Sequence, residues 1–149
     1  MTCCALGRLG LSTAWPGVLR AAAAVLLLDT SFFSALIAER LRRQAGSATA
    51  LLRAHPGRKT VVSIITVAEY LEYARAPANA LGVLRMHSLV GISLEIAKRC
   101  AVLQSRLPRR LGENDAWLAA TALHHGFTLV SADQDFARVP RLTWINFKS

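Results

Sequence analysis

A chain of 149 residues suits one domain with a sizeable core. Hydrophobic residues make up 53% and mean hydropathy is +0.34, yet no run approaches the roughly 18 apolar residues of a membrane span, so the apolar content reads as the filled interior of a soluble protein. Eighteen Lys and Arg against nine Asp and Glu leave +9, which favours a polyanionic partner, nucleic acid first, over a membrane surface.

The basic side chains gather in Arg40, Arg42, Arg43, Arg53, Arg58 and Lys59, with a second group at Arg106, Arg109 and Arg110. Cys3, Cys4 and Cys100 form neither an even disulfide set nor a CxxC pair, and a reducing cytoplasm fits them. His55, His87, His124 and His125 lack HExxH-like spacing and read as structural.

Residues 1–24 mix Gly, Pro and Arg before a run of alanines and read as an N-terminal extension that is poorly ordered; Pro16 breaks the short apolar core that a signal peptide would need. Val25–Leu28 reads as a short buried strand and about Thr30 to Arg43 as a helix with Phe33, Leu36, Ile37 and Leu41 on one face. Gly46 and Ser47 break it, a helix covers Ala48–Ala54, and His55-Pro56-Gly57 is a turn. Val61–Ile65 is a β-branched run suited to a parallel strand covered on both faces, after which Thr66 opens a helix to about Ala76 that Pro77 ends.

Asn79–Ser88 reads as a helix, Leu89–Ile92 as a minor strand, and Ser93 as the start of a helix that Pro108 stops. Asn114 is expected to cap the most regular helix, with Ala116, Ala119, Ala120 and Leu123 as a stripe of small residues and Gly126 as its end. Phe127–Ser131 is a strand, Asp133–Ala137 a turn or short helix, and Leu142–Phe147 the last strand. The alternation implies an α/β fold with a central parallel sheet of about four to five strands flanked by helices.

Four acids need a common explanation. Each has a structural one alone: Asp29 could cap the helix at Thr30, Glu69 could close a capping box on Thr66, Asp115 suits a helix start, and Asp133 suits a turn. However, Asp29, Glu69 and Asp133 follow strands, and Asp115 opens a helix that returns to a parallel strand, so all four belong to the carboxyl edge of the sheet. Two carboxylates at ~4 Å repel by about 4 kcal/mol at an effective dielectric near 20, so such a cluster does not stabilise the fold. Oxygen donors without a Cys or His cluster suit a hard cation, Mg²⁺ or Mn²⁺, which can activate water and neutralise a leaving oxygen at a phosphate.

The motifs Leu28-Asp29-Thr30-Ser31, Ser63-Ile64-Ile65-Thr66-Val67-Ala68-Glu69, Glu113 to Leu123, and Leu129-Val130-Ser131-Ala132-Asp133-Gln134-Asp135-Phe136 resemble those of PIN-domain ribonucleases, and within them VapC-type toxins of type II toxin–antitoxin pairs. The resemblance runs from about Val25 to Phe147 and implies a PIN-like three-layer sandwich over residues 25–149. It further implies a Mg²⁺-dependent endoribonuclease acting on tRNA or rRNA, a homodimer, and a cognate VapB-type antitoxin that covers the site; the lack of a credible export signal points to the cytoplasm. Carried over by motif, Asp29 and Asp115 are the principal metal ligands, and Glu69 and Asp133 complete the catalytic site directly or through water. Thr30 and Ser131 are candidates to hold ligands or waters in place.

The fourth position is ambiguous, because Asp135 stands two residues after Asp133; the spacing to Phe136 favours Asp133. A PIN-like RNA-binding module without catalysis is the alternative, and the presence of all four acids counts against it. A haloacid-dehalogenase-like phosphatase would require a second Asp close after Asp29, and there is none.

Overall fold

Three strands set the architecture, because the residues of each alternate between two separate apolar interiors. In a computed structural model, which describes residues 25–149, Leu26 and Leu28 of β1 (Val25–Leu28) enter one cluster and Leu27 enters the other. Val62 and Val61 of β2 (Lys59–Ser63) divide in the same way, as do Val130 and Leu129 of β4 (Thr128–Ser131). Side chains alternate along a strand, so continuous apolar runs of this kind require cover on both faces.

One face is covered by α1 (Thr30–Arg42), α2 (Ser47–Ala54), α3 (Ile64–Tyr73) and α4 (Pro77–Leu84), through Phe32, Phe33, Leu36, Ala48, Tyr70 and Leu84. The other is covered by α5 (Leu94–Arg106) and α6 (Glu113–His125), through Ile96, Cys100, Leu103, Ala116, Ala119 and Ala120. With β3 (Ser88–Val90) and β5 (Trp144–Asn146) the sheet has five strands in the order β3-β2-β1-β4-β5, every neighbouring pair parallel. The expected three-layer α/β sandwich is therefore present. The extension expected at residues 1–24 lies outside the described residues. No helix among the described residues is long and apolar enough to cross a membrane.

Several boundaries differ from expectation. The second strand ends at Ser63 and not Ile65, since the Ser63 hydroxyl accepts the Ile65 amide at 3.2 Å and starts α3 at Ile64. Pro77 opens α4 instead of ending α3, which stops at Tyr73; its fixed φ and missing N–H suit a first helical position. Gly112, not Asn114, is the N-cap of α6, and Asn114 lies inside its first turn. At the other end Gly126, with φ of 70°, makes the left-handed closure. The helix expected at 79–88 covers Pro77–Leu84, the minor strand is Ser88–Val90, and the last strand shortens to Trp144–Asn146.

One arrangement had no sequence expectation attached. Glu39, in the third turn of α1, accepts the Ala48 and Thr49 amides at 2.9 Å each and the Thr49 hydroxyl at 2.5 Å, so α1 supplies the cap for α2. A Cβ on Gly46 would stand 2.6 Å from Glu39 Oε1, so a side chain there would push that carboxylate off the α2 amides. Burial opposes its ionisation, but the bonds from Thr49, Ala48 and Gly46 prevail and hold Glu39 at about 2.

Candidate functional site

The chain moves outward from β1 to β2 and β3, then returns to the other side of β1 for β4 and β5. The carboxyl ends of β1 and β4 therefore flank the point where strand order reverses, the usual crevice for ligands in an open parallel sheet. Asp29 leaves β1 there, its amide bonded to the Val130 carbonyl at 3.1 Å. Its side chain is the N-cap of α1 and is 6% exposed.

Both oxygens of Asp29 are occupied. Oδ1 accepts the Thr30 amide at 2.6 Å, and Oδ2 accepts the Ser131 hydroxyl at 2.6 Å and the Ser31 hydroxyl at 2.9 Å. A carboxylate offers about four acceptor sites, so three donors leave roughly one lone pair, on Oδ1, for another ligand. Burial pushes this carboxyl up; the Ser131, Ser31 and Thr30 bonds pull it down, and the charge of Glu69 adds to the rise. Ser31 also accepts the Ala132 amide at 3.1 Å, which ties α1 to the end of β4. The sequence reading named Ser131 but gave Ser31 no role, although an Asp-Thr-Ser exit from a buried strand was the available signal.

Glu69 lies on α3 and accepts the Thr30 hydroxyl across a separation of 39 residues. It is not the partner of the Thr66 amide: Ser63 caps that helix, and the buried Thr66 directs its hydroxyl at the Leu28 carbonyl. Asp115 sits in the first turn of α6, with Oδ2 only 3.0 Å from where a Cβ on Gly112 would stand. Its carboxyl is pushed up to about 6, first by burial and then by the charges of Asp133, Asp29, Glu69 and Asp135. That field joins the four expected acids electrostatically, from four separate segments of the chain.

Asp133 and Asp135 divide by their partners. Asp133 is exposed and accepts only a backbone amide, that of Asp135 at 2.8 Å, as the N-cap of the 3₁₀ turn Gln134–Arg138. Asp135 is paired with Arg109 at 2.7 Å and Arg138 at 3.2 Å, and the bond from Arg138, with the nearby guanidinium charges, holds it below the usual carboxylate range. Among the described residues, Asp29, Glu69, Asp115 and Asp133 have no ion-pair partner.

Among the described residues no group of three or more His, Cys, Asp or Glu side chains is drawn together into a ready metal cage. The donor set nonetheless fits a hard divalent cation: four carboxylates, Asp29 and Glu69 held by hydroxyls and none in an ion pair among the described residues, of which Asp115 is raised by burial and then by the charges of the others.

A five-stranded parallel sheet with carboxylates at its switch point defines an α/β protein with an acidic site. The chain belongs to the PIN-domain family, whose profile matches residues 26–142, and within that family it is VapC-type. It is 32% identical over 91 residues to ribonuclease VapC4 of Mycobacterium tuberculosis (strain ATCC 25618 / H37Rv), across 53% of this chain and 70% of that protein. Among solved structures it is similar to a toxin–antitoxin complex from Klebsiella pneumoniae, with a TM-score of 0.65, 25% identity, and 82% and 97% of the two chains covered. It is also similar to VapBC-5 from Mycobacterium tuberculosis, at a TM-score of 0.58 and 25% identity over 82% and 96%.

Proposed function

We propose that residues 25–149 form a metal-dependent endoribonuclease, using Mg²⁺ or Mn²⁺, that hydrolyses phosphodiester bonds of structured RNA such as tRNA or rRNA. The observation that carries this reading is the shared field of Asp29, Glu69, Asp115 and Asp133 at the switch point of a PIN-family sheet. Asp29 and Asp115 are the proposed principal ligands, with Glu69 and Asp133 completing the site directly or through water. When bound, the cation supplies charge for the phosphate oxygens and lowers the pKa of an attacking water.

The chain's own residues do the rest. Ser31, Ser131 and the Thr30 amide fix Asp29 and leave about one lone pair, on Oδ1, for a ligand, and the Thr30 hydroxyl orients Glu69. Asp115 must be unprotonated to take part, which its position near 6 permits at neutral pH. Arg110, exposed five residues before Asp115 and in no ion pair among the described residues, is placed to hold a phosphate at the same edge.

A toxin role with a VapB-type antitoxin as partner is supported by the relatives, since the Klebsiella structure is a toxin–antitoxin complex, and a homodimer in the cytoplasm is proposed with it. A groove of about 430 Å³ between α1, α3 and α4, lined by Ile37, Leu41, Tyr70 and Val83, suits an amphipathic antitoxin segment. Leu41 is 80% exposed beside it.

Purified protein is expected to cleave RNA with added Mg²⁺, to stop with EDTA, and to lose at least a hundredfold in rate in Asp29→Ala and Asp115→Ala. Undiminished cleavage by both variants would overturn the assignment. Metal-independent RNA binding without cleavage of any RNA pool would identify a binding module instead.

A further inference from the structure

We propose that the amino edge of the sheet is a second phosphate-binding face, which grips the backbone of a folded RNA about 20 Å from the carboxylates. It rests on the reading of the protein as an RNA-cleaving enzyme and concerns residues on the edge opposite the site.

The placement follows from topology. α1 leaves the carboxyl end of β1 at Asp29 and runs 13 residues, so at about 1.5 Å per residue its C-terminus lies roughly 20 Å away, at the other edge. Arg40, Arg42 and Arg43 are there. Arg58 and Lys59 stand where β2 begins, paired in register with the start of β1. Arg85 follows α4 just ahead of β3, and His87 beside it bonds Thr60 at 2.7 Å and feels the charge of Arg40, which joins the three segments.

All six cations, Arg40, Arg42, Arg43, Arg58, Lys59 and Arg85, are exposed, and none has an ion pair among the described residues. The acids are distributed the opposite way. Asp29, Glu69, Glu113, Asp115, Asp133 and Asp135, six of the nine in the chain, lie at the carboxyl edge. Glu39, on the same helix as Arg40 and Arg42, is committed to the α2 amides.

A helix dipole favours cations at a C-terminus and accounts for Arg40 and Arg42. It does not account for Arg58 and Lys59, which follow a turn and open a strand. Arg109, by contrast, is spent on Asp135, so the carboxyl edge has fewer free cations than its sequence suggests. An RNA phosphate at the acidic site is repelled until cation and substrate are both in place, and a remote basic face supplies affinity without entering the chemistry. A duplex or folded RNA spans 20 Å; a short strand confined to the carboxylates does not reach the basic face.

The test uses two double variants of the full chain, Arg42→Ala/Arg43→Ala and Arg58→Ala/Lys59→Ala, with unfolding midpoints measured as a check on the fold. Cleavage of a pooled tRNA substrate is expected to show KM raised about tenfold with kcat within twofold, while cleavage of a six-nucleotide single strand is unchanged. Binding of bulk tRNA to Asp29→Asn protein, read by fluorescence anisotropy across a salt series, is expected to lose about two units of log–log salt slope in each double variant. Unchanged tRNA affinity and salt slope in both would overturn the proposal, as would equal losses on the six-nucleotide strand. If no RNA is ever cut but tRNA binding still depends on these four residues, the basic face stands and the nuclease assignment falls.

Discussion

Replacing Asp115 by Asn should stabilise the metal-free protein. In the folded state this carboxyl titrates near 6 instead of 3.8, so between those values the folded chain holds a proton that the unfolded chain has released. Stability contributed by the group therefore falls as pH rises through that window, and above about 6.5 the whole penalty is present. A shift of about two units would correspond to about 3 kcal/mol, and the half-exposed position of the carboxyl reduces this to roughly 1.5 kcal/mol. Asparagine removes the charge and with it the repulsion from Asp133, Asp29 and Glu69. It also gives up a favourable negative charge in the first turn of α6, roughly 0.5 kcal/mol, which leaves a net gain of about 1 kcal/mol.

For a domain of this size that gain is worth roughly 3–5 °C in Tm. Urea and thermal unfolding in EDTA at pH 8 and pH 4 measure it: the variant should exceed the parent at pH 8, and the difference should shrink to near zero at pH 4. Added Mg²⁺ should raise the parent's midpoint and leave the variant's nearly unmoved. A variant no more stable than the parent at pH 8, or one equally stabilised at both pH values, would refute the electrostatic reading of the site.

Two further outcomes follow from close contacts. Glu39→Ala removes the acceptor for two amides and a hydroxyl at the start of α2; the full displacement of its pKa to about 2 would be worth about 3 kcal/mol, and partial exposure reduces the expected loss to about 1–2 kcal/mol. This contribution is complete above about pH 4.5 and lost as pH falls toward 2, so chemical denaturation of parent and variant should converge in acid, and a pH-independent gap would count against the cap. Gly112→Ala introduces a Cβ 3.0 Å from Asp115 Oδ2 at a backbone angle alanine accepts. Stability should change by less than about 1 kcal/mol while the Mg²⁺ needed for half-maximal cleavage rises several-fold; unchanged metal dependence would show that Asp115 does not hold its place against Gly112.

The sheet was legible because apolar β-branched runs leave little choice, and Val61 and Val62 in opposite interiors are the physical reason. Helix starts were less legible wherever two residues could cap. Ser63 and Thr66 both precede helical residues, and only the burial of Thr66 beneath β1, with its hydroxyl toward Leu28, decides that Ser63 takes the role. Pro77 misled for a similar reason: the residue that stops one helix is equally suited to begin the next. Glu39 was invisible in sequence because its partners stand nine and ten residues away across a loop, outside any helical spacing.

For the site, strand order placed the four acids on one edge, but sequence could not separate Asp133 from Asp135 except by the spacing to Phe136. Electrostatics separates them. Two guanidinium groups already neutralise Asp135, and a cation competing for it would have to displace Arg109 and Arg138. Asp133 accepts a single amide bond and is in no ion pair among the described residues. The same distinction explains the hydroxyls around Asp29 and Glu69. A lysine or arginine in place of Ser31, Ser131 or Thr30 would satisfy these carboxylates and cancel the charge that a divalent cation requires. A hydroxyl satisfies and orients them while leaving that charge in place, and this favours Asp133 over Asp135 as the fourth acid.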